Sequence, residues 1–506
     1  MNVRVLSAAL HGIDGTPVDV EVDMVPGVGR FDIVGLPETA VKESKVRVLS
    51  TLRTLGFRAS SRWITVNLAP ADIKKHGSLY DLPIALGVLA CLGAFPGTAL
   101  EGRMFMGELS LDGLVRPVPG VLPMVAAARD RGVPEVVVPV ANGAEAAVVQ
   151  GVRCCTADTL SGLVGDLAGE VELKSVGLAP PGDRLPSACD LEDVCGQAHA
   201  KRALEIAAAG RHNLLMIGPP GSGKTMLARR LSTILPPMDY EESLETTKVY
   251  SVAGLLRRRS GLMTQRPFRA PHHTGSAAAV AGGGPVPRPG EVSLAHNGLI
   301  FVDELPEWPR GVIEVLRQPM EDRQITISRA AGSITFPADF LLVAAMNPCP
   351  CGYWGDPRNR CSCSPLEVSR YRNRVSGPLL DRIDLHVEVP AVPFRDLTGG
   401  GSSGEPSEVV LERVGVAVKR QTARFDGVAT RFNGRMTTRL VKAHCEVPRE
   451  ASSLLEAAMD RLGLSARALD RILKVSRTIA DLEGSRSIRS VHVSEAIQYR
   501  LLDREV

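Results

Sequence analysis

The sequence is poor in the features that mark several broad classes of protein. Aromatic residues make up only 4% of its 506 residues, and 59 basic and 56 acidic side chains leave a net charge of only +3. The scarcity of aromatics argues against a wide base-stacking platform. The small net charge means that any nucleic-acid site has to be a local basic patch. The first residues, MNVRVLSAALHGIDG, lack the long apolar core of a signal peptide. We therefore expect a cytoplasmic protein with ten reduced cysteines.

Long hydrophobic runs are also missing. The longest uncharged run covers residues 82–100 and contains Pro83, Gly87, Gly93 and Pro96. These residues favour a buried helix followed by a turn over a membrane span, so we expect no membrane partner. A chain of this length is too long for a single core, and two to four domains are expected.

Changes in composition predict three domains and two linkers. Residues 1–175 predict an α+β domain, 190–396 an α/β nucleotide-binding domain and 407–506 a helical domain. The proline-rich segment 176–189 and the Gly/Ser-rich segment 397–406 predict linkers. The predicted fold class is therefore α/β multidomain.

The first domain shows alternating strand and helix patterns. Strands are predicted at 18–22, 63–68 and 135–139, helices at 39–55 and 121–131, and a hairpin over 104–118 that turns at Asp112-Gly113.

One stretch carries the strongest chemical signal. The apolar run Leu214 to Ile217 predicts a buried strand, and residues 226–231 predict a helix. The segment between them fits the phosphate-binding pattern of Gly, four residues, then Gly-Lys-Thr. Its glycines let backbone N–H groups turn toward a polyphosphate, and the helix N-terminus favours the same anion. The predicted ATP-binding loop consists of Gly218, Pro219, Pro220, Gly221, Ser222, Gly223, Lys224 and Thr225. Lys224 is expected to reach the β- and γ-phosphates, and Thr225 to supply a ligand to Mg²⁺.

A second buried strand delivers two carboxylates. Residues 299–302 are apolar and are followed by Asp303 and Glu304. Carboxylates at the carboxyl end of a strand suit an α/β nucleotide site. We expect Asp303 to hold Mg²⁺ through water, and Glu304 to orient and deprotonate the attacking water.

Four cysteines form two close pairs, Cys349 with Cys351 and Cys361 with Cys363. Four thiolates can close a tetrahedral zinc site. The C-x-C spacing is tighter than the usual C-x₂-C, and the alternative is a set of reduced thiols. His272-His273 suggests a metal or catalytic pair, but no third ligand has suitable spacing, so a structural role is preferred.

In residues 325–336, apolar and polar side chains alternate on both sides of a glycine. This pattern predicts a β-hairpin just before a buried strand at 341–346. Arg329 lies near its tip and is a candidate phosphate contact, the alternative being a surface hairpin with a solvated arginine. A second basic segment, 254–290, contains Arg257, Arg258, Arg259, Arg266, Arg269 and Arg288.

Longer motifs indicate a family. RPFRAPHHTGS, PRPGEVSLAHNGLIFVDELPE, NPCPCGYWGDP and SGPLLDRIDLHVEVP resemble the magnesium-chelatase-like AAA+ proteins, and the whole chain is similar to the ComM/YifB family. The resemblance implies a hexameric ring of ATPases that drives branch migration of DNA during natural transformation. It also implies that the 325–336 hairpin projects into the ring pore and that segment 254–290 is the helix-2 insertion of this branch.

The resemblance assigns further site residues. Asn347 matches sensor 1, which positions the lytic water, and Arg382 matches an arginine finger that acts on a neighbouring subunit. An ion pair of Arg382 with Asp381 or Asp384 is the alternative. Arg467 matches sensor 2, with Arg471 as its rival, and Gln197 resembles a residue lining the adenine pocket.

In the first domain, the stretch GELSLDGLVRPVPGVLPMVAAARDRGVPEVVVP, which begins at Gly107, resembles the corresponding segment of the Lon protease domain. That domain has the ribosomal-protein-S5-like fold. Lon cuts peptides with a Ser-Lys dyad. The serine position falls near Tyr80 and the lysine position at Leu122, and neither can serve as nucleophile or base. Ser78 lies nearby, but no lysine follows where one is needed. A non-proteolytic domain is therefore expected, with a chelatase-type motor and a Lon-like peptidase as the rival functions.

Overall fold

The structure is a computed structural model. It describes residues 2–57, 61–177, 189–256, 261–284, 287–329, 332–356, 358–392, 404–428, 430–463 and 465–500. Most of the first predicted linker, residues 397–403 of the second, and Arg257, Arg258 and Arg259 lie outside the described residues.

The N-terminal domain is built on an eight-stranded mixed sheet of order β10-β9-β8-β5-β1-β2-β4-β3. Its strands, with the two of a small hairpin, are β1 (Asn2–His11), β2 (Asp14–Pro26), β3 (Arg30–Val34), β4 (Arg62–Ala69), β5 (Arg103–Phe105), β6 (Glu108–Leu109), β7 (Val115–Arg116), β8 (Glu135–Pro139), β9 (Arg153–Ala157) and β10 (Lys174–Ser175). Its helices are α1 (Thr39–Thr54), α2 (Asp81–Cys91), α3 (Val121–Asp130), α4 (Gly143–Ala146) and α5 (Leu160–Leu167).

Burial in this domain follows the sequence pattern. Val18, Val20 and Val22 alternate inward along β2, as period-two patterning predicts. Helix α2 is buried along residues 81–90, which confirms the expected buried helix at the uncharged run. The hairpin predicted over 104–118 was too long: β5 belongs to the main sheet beside β1 and β8, and only β6 and β7 pair with each other. The buried Met104 and Phe105 take β5 into the core.

The central domain has a parallel sheet of order β12-β15-β18-β11-β19. Its strands and those of two small hairpins are β11 (Leu214–Ile217), β12 (Phe268–Arg269), β13 (Gly282–Gly283), β14 (Arg288–Pro289), β15 (Leu299–Val302), β16 (Gln324–Arg329), β17 (Gly332–Pro337), β18 (Leu341–Met346) and β19 (Leu385–Glu388). Its helices are α6 (Ala198–Gly210), α7 (Lys224–Leu231), α8 (Tyr240–Ala253), α9 (Ala277–Ala281), α10 (Glu291–Leu294), α11 (Arg310–Val315), α12 (Arg317–Asp322), α13 (Pro365–Arg372) and α14 (Gly377–Leu380).

The apolar runs of β11, β15 and β18 are buried on both faces, as strands of a covered parallel sheet must be. Parallel strands bring their carboxyl ends to one edge, so the loops after these three strands meet there. The hairpin β16–β17 forms where it was predicted, and Ile327 and Phe336 anchor it in the core of the central domain.

The C-terminal region is helical, with α15 (Ser407–Arg424), α16 (Thr438–His444), α17 (Arg449–Leu462), α18 (Ala466–Leu482) and α19 (Ser490–Gln498). The buried carboxylate of Asp481 is ion-paired with both Arg424 and Arg477, which ties α15 to α18. Arg435 holds Asp339 of the central domain at 2.7 Å. The α/β multidomain fold class is confirmed.

The N-terminal and central domains share a packed boundary. Leu244 of α8 belongs to the N-terminal core, and the Tyr240 hydroxyl donates to the Val148 carbonyl at 3.2 Å. Ser251 of α8 donates to the buried carboxylate of Glu145. Within the described ranges, every helix falls short of the length and apolarity that a membrane crossing requires.

Candidate nucleotide-binding site

The loop between β11 and α7 has the conformation that a phosphate cradle needs. Gly221 and Gly223 adopt positive φ values of 73° and 89°, which side-chain-bearing residues rarely adopt. A Cβ at Gly218 would lie 2.1 Å from the Val389 carbonyl oxygen, so only glycine fits between β11 and β19. The loop leads directly into the N-terminus of α7, where backbone N–H groups favour an anion. These residues fit a nucleoside triphosphate.

Lys224 begins α7 and turns back over the loop. Its ammonium donates to the carbonyls of Gly218 and Pro219 at 2.7 and 2.9 Å, and to the side-chain oxygen of Asn347 at 3.2 Å. Burial lowers the pKa of Lys224, while Asp303 and Glu304 oppose that shift. The structure thus brings the loop lysine together with the predicted sensor 1 residue at the end of β18.

Thr225 and the two carboxylates after β15 face the same space. The Thr225 hydroxyl donates to an oxygen of Asp303 at 2.9 Å. The Glu304 backbone N–H donates to the other Asp303 oxygen at 3.0 Å, and the Trp308 indole donates to the Asp303 carbonyl at 2.8 Å. A hydroxyl and a carboxylate are the hard oxygen ligands that Mg²⁺ prefers, so Thr225 and Asp303 fit this ion.

Gln197 lies on the other side of the loop. Its backbone has a φ of 51°, and its amide donates to the carbonyls of Ser222 at 2.7 Å and Pro390 at 3.2 Å. The contact joins the start of α6 to the loop. The Ser222 hydroxyl is buried without a partner among the described residues.

The four cysteines after Asn347 converge. The sulfur of Cys349 lies 3.3 Å from that of Cys351 and 3.7 Å from that of Cys361, and all four sulfurs, Cys363 included, fall within 4.8 Å of one another. Zn–S bonds of about 2.3 Å in a tetrahedron need sulfurs just under 4 Å apart, so the donor set fits zinc. The backbone N–H of Trp354 points at the Cys349 sulfur from 3.3 Å.

This cysteine loop supports the phosphate loop. Gly352 has a φ of 87°, and a Cβ there would lie 2.6 Å from the Pro220 ring. The segment after Asn347 is therefore packed directly behind the loop that binds phosphate.

Arg382 follows α14 and is only 8% exposed. Its guanidinium is held 2.5 Å from a carboxylate oxygen of Glu321, in α12. The alternative pairing of Arg382 with Asp381 or Asp384 was wrong, because its ion-pair partner is Glu321. Asp384 is paired with Arg471. In the single chain, Arg382 therefore forms an internal ion pair with Glu321.

The two sensor 2 candidates differ in their surroundings. Arg471, in α18, is ion-paired with the buried Asp384. Arg467 lies one turn earlier, at the exposed N-terminal end of α18, and carries no ion pair within the part of the chain that the structure describes. Arg467 is therefore the one of the two that is available to a phosphate.

Two arginines expected in the basic patch are neutralised. Arg266 is buried against Glu242 at 2.7 Å, and Arg269 makes two 2.7 Å hydrogen bonds to Glu291. Both therefore hold the segment to its own domain. Arg288 remains exposed, while Arg329 ends β16 opposite Gly332, with its side chain outside the described residues.

The structure reveals a contact that sequence reasoning missed. His273, which was expected to have a structural role, lies with its Nδ1 3.4 Å from a carboxylate oxygen of Glu304. The feature that could have predicted this contact is the position of His273, four residues after β12, the strand that runs beside β15.

In the N-terminal domain, the two positions that align with the protease dyad are fully buried side chains, Tyr80 and Leu122. The nearby Ser78 hydroxyl donates to Glu108. The buried Lys75, three residues earlier, donates to the Pro70 carbonyl.

The strand order, the phosphate loop and the paired carboxylates define a P-loop ATPase of the AAA+ class. The family described as magnesium chelatase, subunit ChlI, matches residues 190–397. Subunit ChlI of Mg-chelatase matches 20–142, and the ChlI C-terminal family matches 404–500.

Full-length relatives narrow the class. Competence protein ComM of Haemophilus influenzae is 44% identical over 99% of this chain and 97% of its own length. The uncharacterized protein YifB of Salmonella typhimurium is 44% identical over 98% of this chain and 96% of its own length. Lon protease 2 of Bacillus subtilis is 29% identical over 140 residues, 25% of each chain. The chain belongs to the ComM/YifB family of magnesium-chelatase-like AAA+ ATPases, and its Lon-like N-terminal region is confirmed.

Proposed function

We propose that this ATPase forms a hexameric ring that moves on DNA and drives branch migration of DNA junctions. The observation that carries the proposal is the hairpin β16–β17, inserted directly before β18, the strand that Asn347 follows. The pair Ile325 and Phe336 fixes the base of the hairpin in the central core, and Ile327 extends this contact along β16. A change at the nucleotide can therefore move the hairpin as a rigid lever. The ComM name of a full-length relative supports the same substrate class.

Bound ATP with Mg²⁺ would supply the phosphoanhydride that is cleaved. Lys224 would neutralise the phosphate oxygens, and Thr225 and Asp303 would hold the ion. Glu304 would accept a proton from the attacking water, with Asn347 orienting it. Arg467 would approach the same phosphates from the C-terminal helices, and Gln197 would line the adenine side.

The match of Arg382 to an arginine finger supports the ring. An arginine finger acts on the nucleotide of a neighbouring subunit. Arg382 lies in the Glu321 pair in the single chain, so it would have to exchange that partner for phosphate when subunits assemble. We also propose a cytoplasmic location, because the four close-set cysteines need a reducing compartment to stay available as thiolates for a metal ion.

The decisive experiment is ATP-dependent migration of a synthetic four-way junction. We expect migration by the wild-type protein and ATP hydrolysis that rises when the junction is added. Arg329→Ala should retain DNA-free hydrolysis but lose DNA stimulation and migration, because it removes a phosphate contact from every subunit. The matched control is Arg439→Ala, since Arg439 is an exposed arginine on α16.

A magnesium-chelatase-type motor is the second candidate, because the matching family carries that description. Such a motor would hydrolyse ATP without a response to DNA. A Lon-like peptidase is less favoured because Tyr80 and Leu122 stand at the dyad positions, and casein degradation tests it. Absence of both junction migration and DNA stimulation would contradict the DNA proposal and favour the chelatase-type motor.

A further inference from the structure

We propose that the N-terminal domain binds an extended acidic peptide of a partner protein, in a cavity between α1 and the strands β3 and β4. This site is independent of the DNA proposal, because it uses neither the nucleotide loop nor the hairpin β16–β17. It gives a recognition function to a domain whose dyad positions hold Tyr80 and Leu122.

A cavity of about 470 Å³ lies between α1 and the N-terminal ends of β3 and β4. Its apolar floor consists of Phe31, Leu49, Leu52, Phe57 and Ile64. Phe31, Leu52 and Ile64 belong to the core of the domain, whereas Leu49 and Phe57 are half-buried and pack against that core. The cavity therefore has room for one large apolar side chain of a ligand.

The rim of this cavity is positively charged. Lys45, Arg53 and Arg62 line it, all three are exposed, and none has an ion-pair partner among the described residues. Elsewhere in the same domain, Arg47 and Arg103 are ion-paired with carboxylates. Unpaired cations around an apolar floor are complementary to a ligand that carries negative charges on both sides of an apolar group.

The periodicity of the sequence places these cations on both sides of the floor. Lys45, Leu49 and Arg53 follow one another at intervals of four in α1, so they lie on one face of the helix. On β4, Arg62 lies two positions before the buried Ile64, so both belong to the same face of the sheet. The helix and the sheet therefore each contribute positive charge beside the apolar floor.

The neighbouring strand β3 favours a peptide as the ligand. It is the last strand of the eight-stranded sheet, so one of its edges has no neighbouring strand among the described residues. Backbone N–H and C=O groups at such an edge can pair with an extended peptide. Val28 before the strand and Val34 at its end are 93% and 46% exposed, so the edge also offers apolar contacts. A peptide strand added beside β3 would direct every second side chain toward α1 and the cavity.

Nucleic acid is the alternative polyanion, and the aromatic side chains of this site disfavour it. Single strands stack their bases on open aromatic faces. Cζ of Arg30 lies 5.0 Å from the centroid of the Trp63 ring, and the Trp63 indole N–H donates to Asp32 at 3.1 Å. Phe31 is only 5% exposed. Because one face of the tryptophan is covered and the phenylalanine is buried, the site offers apolar volume and not a stacking surface.

A synthetic peptide with matching geometry tests the proposal. In Glu-Asp-Thr-Phe-Thr-Asp-Glu, acetylated and amidated at its ends, the phenylalanine and the two aspartates share one face of an extended strand. Calorimetric titration of the full-length protein should give a Kd on the order of 100 µM, since the contacts are few and partly exposed. Binding should weaken as salt rises, because exposed charges are screened. Replacing Phe by Ser should weaken it because the cavity stays unfilled, and replacing every acid by its amide should abolish it.

Variants of the protein locate the binding site. Lys45→Glu combined with Arg53→Glu should raise the Kd about tenfold or more, because two attractive contacts become repulsive. Leu49→Trp fills the cavity while every cation stays, and it should also weaken binding. The matched control is Lys42→Glu, which changes an exposed lysine of the same helix that does not line the cavity and should leave the Kd unchanged. Wild-type ATP hydrolysis and an unchanged midpoint of thermal unfolding verify the fold of each variant.

Three results would each overturn the peptide site: no saturable binding, equal binding of the peptide with Ser in place of Phe, or a Kd that the Lys45→Glu and Arg53→Glu combination leaves unchanged. Single-stranded oligo-dT is titrated in parallel. Tighter binding of oligo-dT that the same combination abolishes would identify a nucleic-acid site and overturn the peptide proposal. Peptide binding that depends on Lys45 and Arg53 supports the site even if junction migration fails, and that failure would contradict only the DNA proposal.

Discussion

Gly12 of the N-terminal domain lies against Ile334 of the hairpin β16–β17. A Cβ at Gly12 would be 3.0 Å from Cγ2 of Ile334, and Ile13 packs against the core of the central domain. The turn between β1 and β2 therefore braces the element that we propose to contact DNA. The Lon-like domain is thus a packed support for the motor.

Gly12→Val should weaken this brace. The variant strains a backbone with a φ of 66° and pushes a branched side chain into Ile334. Gly132→Val is the matched control, because Gly132 has a φ of 73° with open space around it. We expect Gly12→Val to be the less stable of the two by about 1–3 kcal/mol, the usual cost of overpacking. Equal midpoints of thermal unfolding for the two variants would contradict the contact.

Lys224→Ala and Glu304→Gln should separate binding from turnover. The first removes the ammonium that neutralises the phosphates, so nucleotide binding should be lost. The second keeps the shape of the site but removes the proton acceptor, so binding should persist while hydrolysis nearly stops. Titration with a fluorescent ATP analogue and a phosphate-release assay measure the two effects. Wild-type hydrolysis by Glu304→Gln would disprove the catalytic assignment.

Arg382→Ala should spare ATP binding and reduce hydrolysis by roughly 10³-fold or more, the scale of arginine fingers. Mixing it with Lys224→Ala protein should restore part of the activity, because some mixed interfaces combine an intact loop with an intact finger. Glu321→Gln tests the alternative that Arg382 only maintains the internal pair, since it also breaks that pair. Similar losses of hydrolysis in Arg382→Ala and Glu321→Gln, without restoration on mixing, would favour the internal pair.

The cysteine cluster should hold one zinc per subunit. Elemental analysis of protein purified without added zinc measures it, and chelation should expose all four thiols to a thiol reagent. Because Gly352 packs on Pro220 behind the phosphate loop, zinc removal should also weaken ATP binding. Cys445→Ser, at an isolated buried cysteine, should leave the zinc content unchanged. A zinc content near zero with four reactive thiols in the folded protein would exclude the site.

Asp384→Asn should destabilise the packing of the C-terminal helices against the central domain. Asp384 is 4% exposed, pairs with Arg471, and accepts the Asn213 backbone N–H at 3.0 Å. Breaking a buried pair by removing one partner costs about 3–5 kcal/mol.

The same carboxylate predicts a pH dependence. Burial alone would raise the pKa of Asp384, but Arg471 and His212 more than offset it, and the pKa lies below its ordinary value. The stabilisation is therefore fully present above the unfolded pKa of about 3.9 and is lost as the pH falls below it. Urea denaturation should show a large difference between wild type and Asp384→Asn at pH 7 that shrinks below pH of about 4. A difference independent of pH would contradict the assignment.

The sequence by itself determined the elements with strong local signals. The apolar run into Gly218 and the paired carboxylates after residues 299–302 predicted two strands and their loops, because buried parallel strands need unbroken apolar runs. Four clustered cysteines and an alternating hairpin pattern were likewise evident. Glycine spacing, alternation and charge are local properties of the chain.

Only the tertiary structure decided which side chains meet. Arg382 pairs with Glu321 and not with Asp381 or Asp384, because packing brings α12 beside α14. Arg266 and Arg269 are neutralised by carboxylates 24 and 22 positions away, which a count of basic residues does not show. His273 reaches Glu304 because β12 happens to be the neighbour of β15 in the sheet. Such contacts depend on strand order and packing between distant segments, and no local pattern encodes them.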